Sequence, residues 1–103
     1  LSGKQDTTSI GDQWTTWLVA SGAKMYGAWW CTHCNSQKLA FGDSWKIMAD
    51  GGGYVECANE DKSQNQFCKD ANITGYPTWR FANGHELQGL LKLETLSIES
   101  GCK

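Results

Sequence analysis

Proline is almost absent from this chain: Pro77 is the only one in 103 residues, so it marks a specific backbone feature and not a general loop composition. Long apolar runs are also missing. None approaches the roughly 18 to 20 residues that a membrane span needs, which excludes a transmembrane reading of these residues. Basic excess is lacking too, with nine Lys and Arg against eleven Asp and Glu and a formal charge of -2. The basic residues are scattered. Neither counterion release from phosphates nor a basic membrane patch has a footprint, and nucleic acid is not expected as a partner. No internal repeat or low-complexity tract is present. The opening residues, "LSGKQDTTSIGDQ", have neither an initiator methionine nor the apolar stretch of a signal peptide, which suggests a mature or excised piece. A chain of this length holds one domain and one core.

Cysteine, by contrast, is abundant. Five in so short a chain suggest an oxidising compartment, although a C-x-x-C can also mark zinc or cytosolic redox work. The odd number leaves one thiol over, and Cys102, next to the last residue, is the natural remainder.

Ser9 and Asp12 read as an N-cap with an acidic first turn, and Ile10, Trp14, Trp17, Leu18 and Ser21 follow at helical spacing to Gly22, predicting a helix over about 10–21. The apolar, aromatic stretch 23–30, "AKMYGAWW", reads as a buried strand running into "CTHC". Cys31, Cys34, Phe41, Trp45 and Met48 share one helical face, with Gly42, Asp43 and Ser44 placed to break or recap that helix. A short strand is expected at 54–57 and a helix over 63–71. Two further strands, 78–82 and 86–90, meet at Asn83-Gly84, a tight-hairpin dipeptide. A last helix spans 93–100 with Gly101 as its stop. This order predicts a mixed sheet of four strands with helices on both faces.

Cys31 and Cys34 thus stand at a helix start. That spacing puts both sulfurs on one side, and the free amides and dipole of the first turn favour a thiolate at Cys31, making it the expected nucleophile. Cys34, one turn in, would stay a thiol until it resolves a mixed disulfide on Cys31. Two alternatives stay open. Zinc could be held by Cys31, Cys34, Cys57 and either Cys68 or His33, although a zinc ribbon normally repeats its C-x-x-C knuckle. The pair could also be an inert staple.

"WWCTHC" opening a helix after a strand, with "GYPTW" before a hairpin and Pro77 43 positions after Cys34, resembles the thioredoxin superfamily over nearly the whole chain. The resemblance implies an α/β thioredoxin-like domain over 9–103, after a flexible linker at 1–8, with an extra N-terminal helix and no first thioredoxin strand. It also implies a cis bond between Tyr76 and Pro77, against the cysteines, where an extended substrate could pair with the backbone. "MYGAWWCTHCNSQKLAFG", "YVEC" and "ITGYPTW" are further similar to the thioredoxin-like domain attached to bacterial and plant homologues of vitamin K epoxide reductase (VKOR). That likeness implies a VKOR-like membrane quinone reductase as electron acceptor, possibly fused in a longer protein. It also implies an extracytoplasmic place, in the periplasm or on the thylakoid lumen side.

The chain departs from thioredoxin in having Met25 where a buried acid stands six positions before the first cysteine, and Thr32 and His33 between the cysteines in place of Gly-Pro. A His there can stabilise the reduced form and make the disulfide more oxidising; the roughly 150 mV between thioredoxin and DsbA correspond to about 7 kcal/mol. Cys57 and Cys68 read as a structural disulfide worth about 3 kcal/mol in the loop-entropy view, with a second redox pair as the other reading. The six Trp are expected mostly in the core, except Trp30 at the rim of the site, with Trp29 facing the other way. The expectation is a monomeric thiol-disulfide oxidoreductase, with no cofactor and no metal, that passes its disulfide to protein thiols. The alternatives are an extracytoplasmic reductant of the same fold, or a non-catalytic zinc or protein-binding module.

Overall fold

The computed structural model describes residues 10–101. The linker expected at 1–8, the Ser9 cap and Cys102 lie outside the described residues.

The described chain runs α1 (Ile10–Ala20), β1 (Lys24–Gly27), α2 (Thr32–Phe41), a 3₁₀ turn (Gly42–Ser44), α3 (Trp45–Asp50), β2 (Tyr54–Glu56), α4 (Gln66–Asp70), β3 (Thr78–Arg80), β4 (Glu86–Gln88) and α5 (Leu93–Ser100). The strands form one sheet in the order β2-β1-β3-β4. β1 is parallel to β2 and antiparallel to β3, and β3 pairs antiparallel with β4. This is the mixed, thioredoxin-like α/β sheet expected from the sequence, with α1 as the added helix and no strand before β1 among the described residues.

Every strand is shorter than its apolar pattern suggested. The stretch 23–30 pairs only over Lys24–Gly27, and Trp29 and Trp30 fall in the turn that follows. The helix expected over 63–71 is Gln66–Asp70, started by the Asn65 side chain, which accepts from the Cys68 backbone N–H at 2.9 Å. The long helix from Cys31 breaks where Gly42, at φ 57°, takes a left-handed conformation that a Cβ would strain, then restarts as α3. Across that break Cys31, Cys34, Phe41 and Met48 still share the buried face.

The sheet separates two cores. On one side Leu18, Met25, Cys31, Cys34, Phe41, Met48, Trp79 and Leu96 come together from α1, α2, α3, α5 and the strands. Successive residues of a strand face opposite ways, so Tyr26 points to the other side, where it meets Cys57, Cys68 and Ile73. Aromatic rings bind the first core: Phe41 lies 5.9 Å from Trp14, 5.5 Å from Trp45 and 6.2 Å from Trp79 between centroids. The expectation that the tryptophans are mostly core is corrected here. Trp79 is fully buried and Trp14 and Trp45 pack on the core, but Trp17, Trp29 and Trp30 are exposed. Both residues of the Trp pair lie on the surface because the strand ends before them.

Candidate active site

Cys31 is the N-cap of α2, with extended backbone, and its carbonyl accepts the Asn35 N–H at 3.0 Å. Cys34 lies one turn further on. The two differ in burial: Cys31 is 8% exposed and Cys34 is 0%. Both are free thiols. Burial pushes the Cys34 thiol up from 9.0 to about 12; a backbone hydrogen bond from Ala28 opposes this, Cys31 adds to it, and Lys38 opposes it.

The loop before β3 closes over Cys31. The Tyr76–Pro77 peptide bond is cis, Pro77 is fully buried, and the Cys31 thiol donates to the Tyr76 carbonyl at 3.8 Å. Trp30 meets the Tyr76 ring edge-on, with centroids 5.9 Å apart. Trp29 turns elsewhere: its indole N–H donates to the Asn59 carbonyl at 3.1 Å. Thr32 and His33 are exposed, and neither side chain makes a hydrogen bond with another described residue. The structure therefore gathers Cys31, Cys34, Trp30, Tyr76 and Pro77, and leaves Thr32 and His33 at the mouth.

Cys57 and Cys68 form a disulfide and are both fully buried. The four-ligand set weighed for zinc is not assembled, since these two sulfurs are bonded to each other in the opposite core. Among the described residues no three His, Cys, Asp or Glu side chains converge as metal ligands.

The floor of the site was not legible in the sequence. Met25 pairs with Tyr54 and Gly27 with Glu56 across the parallel strands β1 and β2, which puts all four residues on the sheet face under α2. A Cβ at Gly27 would stand 3.0 Å from Cys34 Sγ, 3.0 Å from Tyr54 Cε1 and 3.2 Å from Tyr54 Oη, so glycine keeps open a space that the thiol and the phenol both border. Tyr54 Oη donates to Glu56 Oε1 at 2.9 Å. Glu56 Oε2 accepts the backbone N–H groups of Trp29 at 3.0 Å and Ala58 at 3.1 Å. Lys38, one turn after Cys34, holds Nζ 4.6 Å from the Tyr54 ring centroid. Burial, then the Glu56 hydrogen bond and charge, push the Tyr54 phenol well above its usual value. The available signal was the alternation of "YVEC", which puts Tyr54 and Glu56 on one face; the strand register that brings that face to Cys34 is a tertiary fact.

This geometry, a fully buried thiol beside a slightly exposed one at a helix N-terminus under a proline loop, is the arrangement that thiol–disulfide exchange requires. No family model matches the chain. The chain is 40% identical over 88 residues to the thiol-disulfide oxidoreductase LTO1 of Arabidopsis thaliana, covering 82% of this chain. It is 36% identical over 61 residues, half of this chain, to sulfhydryl oxidase 1 of Homo sapiens and likewise to that of Pongo abelii. The chain spans 22% of the plant relative's length and 7% of each sulfhydryl oxidase's.

Proposed function

We propose that this chain is a thiol-disulfide oxidoreductase unit in which Cys31 and Cys34 carry the exchange and the net flow is oxidative, from its disulfide to protein thiols. The observation that carries the reading is the asymmetry of the pair: a slightly exposed cysteine at a helix N-terminus and a fully buried one behind it. In the oxidative direction a substrate thiolate attacks Cys31 Sγ, the Cys31–Cys34 bond breaks, and Cys34 leaves and takes up a proton. A second substrate thiolate then attacks the mixed disulfide, releasing the substrate as a disulfide and Cys31 as a thiol. The Tyr76 backbone beside Cys31 offers an extended substrate a pairing edge that does not depend on its sequence.

Two features support the oxidative direction. His33 stands between the cysteines, and the animal relatives carry the name sulfhydryl oxidase. Reoxidation is assigned to a VKOR-like membrane quinone reductase on the extracytoplasmic side. That partner and compartment are supported by the likeness of the "WWCTHC", "YVEC" and "GYPTW" segments to VKOR-attached domains. No helix among the described residues is long and apolar enough to cross a membrane, so the membrane step belongs to another segment or another chain.

The test is the reduction potential of the Cys31–Cys34 couple against glutathione, with a His33→Pro variant beside the wild type. The expected wild-type value lies well above the roughly -270 mV of thioredoxin, and the variant should fall by about 30 mV or more, which is about 1.4 kcal/mol. A wild-type value near about -270 mV that His33→Pro leaves unchanged makes the protein a reductant instead.

A further inference from the structure

The Cys34 thiol is fully buried, yet it must lose its proton to close the disulfide and regain it when the disulfide opens. Met25, at the position where thioredoxin keeps an acid, is apolar and fully buried, so β1 offers Cys34 no base. The neighbouring strand does. Tyr54 is the register partner of Met25, and Glu56 is the register partner of Gly27. The geometry points to Tyr54 and Glu56 as the proton relay of Cys34, working across the gap that the missing side chain of Gly27 leaves open. The inference rests on the assignment of Cys31 and Cys34 as the exchanging pair, and it holds for either net direction.

The step balances as follows. The Cys34 S–H proton passes to Tyr54 Oη while the Tyr54 O–H proton passes along its existing hydrogen bond to the Glu56 carboxylate. Cys34 thiolate then attacks the Cys31 sulfur of a mixed disulfide, the Cys31–Cys34 bond forms, and the substrate thiolate leaves. Glu56, half-buried, returns its proton to solvent or to the leaving thiolate. Opening the disulfide runs the same path backwards: Cys34 leaves as a thiolate, takes the phenol proton, and Glu56 restores it.

The charged and titratable groups around the relay act in both senses on that transfer. Lys38 of α2 sits over the Tyr54 ring and stabilises negative charge on Cys34. Cys31 lies beside Cys34 and opposes a second negative charge there. Across the loop, Lys62 is 6.0 Å from the Trp29 ring centroid, and the Trp29 amide is one of the donors that hold Glu56. The high phenol value keeps Tyr54 protonated, so it acts by exchanging a proton and not by carrying a charge. Tyr54 borders the same space beside Gly27 as the reacting thiol, and Glu56 acts through Tyr54.

The test uses the reduced protein, with Cys102→Ser so that only the pair reports, mixed with the aromatic disulfide 5,5′-dithiobis(2-nitrobenzoate) in a stopped-flow instrument. The first equivalent of coloured thiolate reads attack by Cys31, and the second reads resolution by Cys34. Tyr54→Phe keeps the ring against Lys38, Trp45 and Gly27 and removes only the hydroxyl. Its first phase should match the wild type, and its second should slow by about 10- to 100-fold at neutral pH, within the usual range for a lost acid–base group. The deficit should shrink as hydroxide takes over at higher pH. Glu56→Gln should slow the same phase, and Met25→Asp added to Tyr54→Phe should recover part of it. A second phase with wild-type rate and pH profile in Tyr54→Phe overturns the relay, and so does an equal, pH-independent slowing of both phases. If the wild type gives no second phase, the pair assignment itself is wrong.

Discussion

Gln37 holds Leu91 at both ends of its side-chain amide: Nε2 donates to the Leu91 carbonyl at 3.0 Å, and Oε1 accepts the Leu91 N–H at 2.8 Å. Oε1 also accepts from the indole of Trp79 at 3.3 Å, and Gln37 is fully buried. The helix that begins at Cys31 is thereby fastened to the segment between β4 and α5. Replacing Gln37 with Leu keeps the volume but strands three polar groups away from water. It should cost about 2 to 4 kcal/mol, by the usual penalty of about 1 to 3 kcal/mol per unsatisfied group offset by partial relaxation. Denaturant unfolding of the variant measures it; a loss below about 0.5 kcal/mol would mean that water replaces the amide.

Alkylation should discriminate between the two cysteines. At neutral pH the raised value of Cys34 leaves on the order of a thousandth of the thiolate of an ordinary thiol, and its sulfur is fully enclosed. Iodoacetamide should therefore label Cys31 first and nearly alone. Equal labelling in peptide mapping would contradict the observed burial.

The same shift predicts a pH dependence of stability confined to the dithiol form. A thiol whose folded value is raised stabilises the fold fully below its ordinary 9.0 and loses that contribution as pH rises through about 12. The unfolded chain binds fewer protons in that window, so stability falls with pH. Unfolding of the reduced protein should weaken between pH 9 and 12 relative to the Cys31–Cys34 disulfide form, in which Cys34 does not titrate. Parallel pH profiles for the two forms would refute it.

Cys57 and Cys68 close an eleven-residue step, and removing that bridge in a Cys57→Ala, Cys68→Ala variant should cost about 2 to 4 kcal/mol. In the oxidised wild type, graded reductant should open the Cys31–Cys34 bond first, since Cys31 alone of these four cysteines is not fully buried. Mapping that finds the Cys57–Cys68 bond opening first would reverse the assignment of roles.

Gly27→Ala places a methyl group 3.0 Å from both Cys34 Sγ and Tyr54 Cε1, and something must move. The expected cost is about 1 to 3 kcal/mol, typical of overpacking a tight core. Because the methyl group would fill the space that the thiol and the phenol both border, resolution by Cys34 should also slow. Unchanged stability together with unchanged resolution would show that the floor is softer than its geometry.

Much of this was legible in the chain. The C-x-x-C at a helix start, the last helix over 93–100, the hairpin at Asn83-Gly84 and the break at Gly42 all follow from local rules of capping, turn chemistry and period. Gln37 was not legible, although it fills the buried face between Cys34 and Phe41, because a polar residue on an apolar stripe reads as solvent-facing until its partners are known. Tyr54 and Glu56 were hidden for a related reason: register between parallel strands is set by the whole core and not by either strand. Trp30 was expected at the rim and lies there, but the exposure of Trp29 was missed because aromatic residues after a strand look the same to a propensity scale whether pairing continues or stops.

The β-sheet that divides the two cores also insulates two kinds of sulfur chemistry from each other. Thiol–disulfide exchange needs a thiolate in line with the bond it attacks. Cys34 lies in the core of Met25 and Trp79, while the Cys57–Cys68 bond lies in the core of Tyr26 and Ile73, behind a hydrogen-bonded layer in which the Cys57 amide donates to the Gly27 carbonyl at 2.8 Å. A thiolate released at Cys34 therefore has no route to the second bond while the sheet stays paired. Shuffling between the two bonds would therefore be a measure of local unfolding.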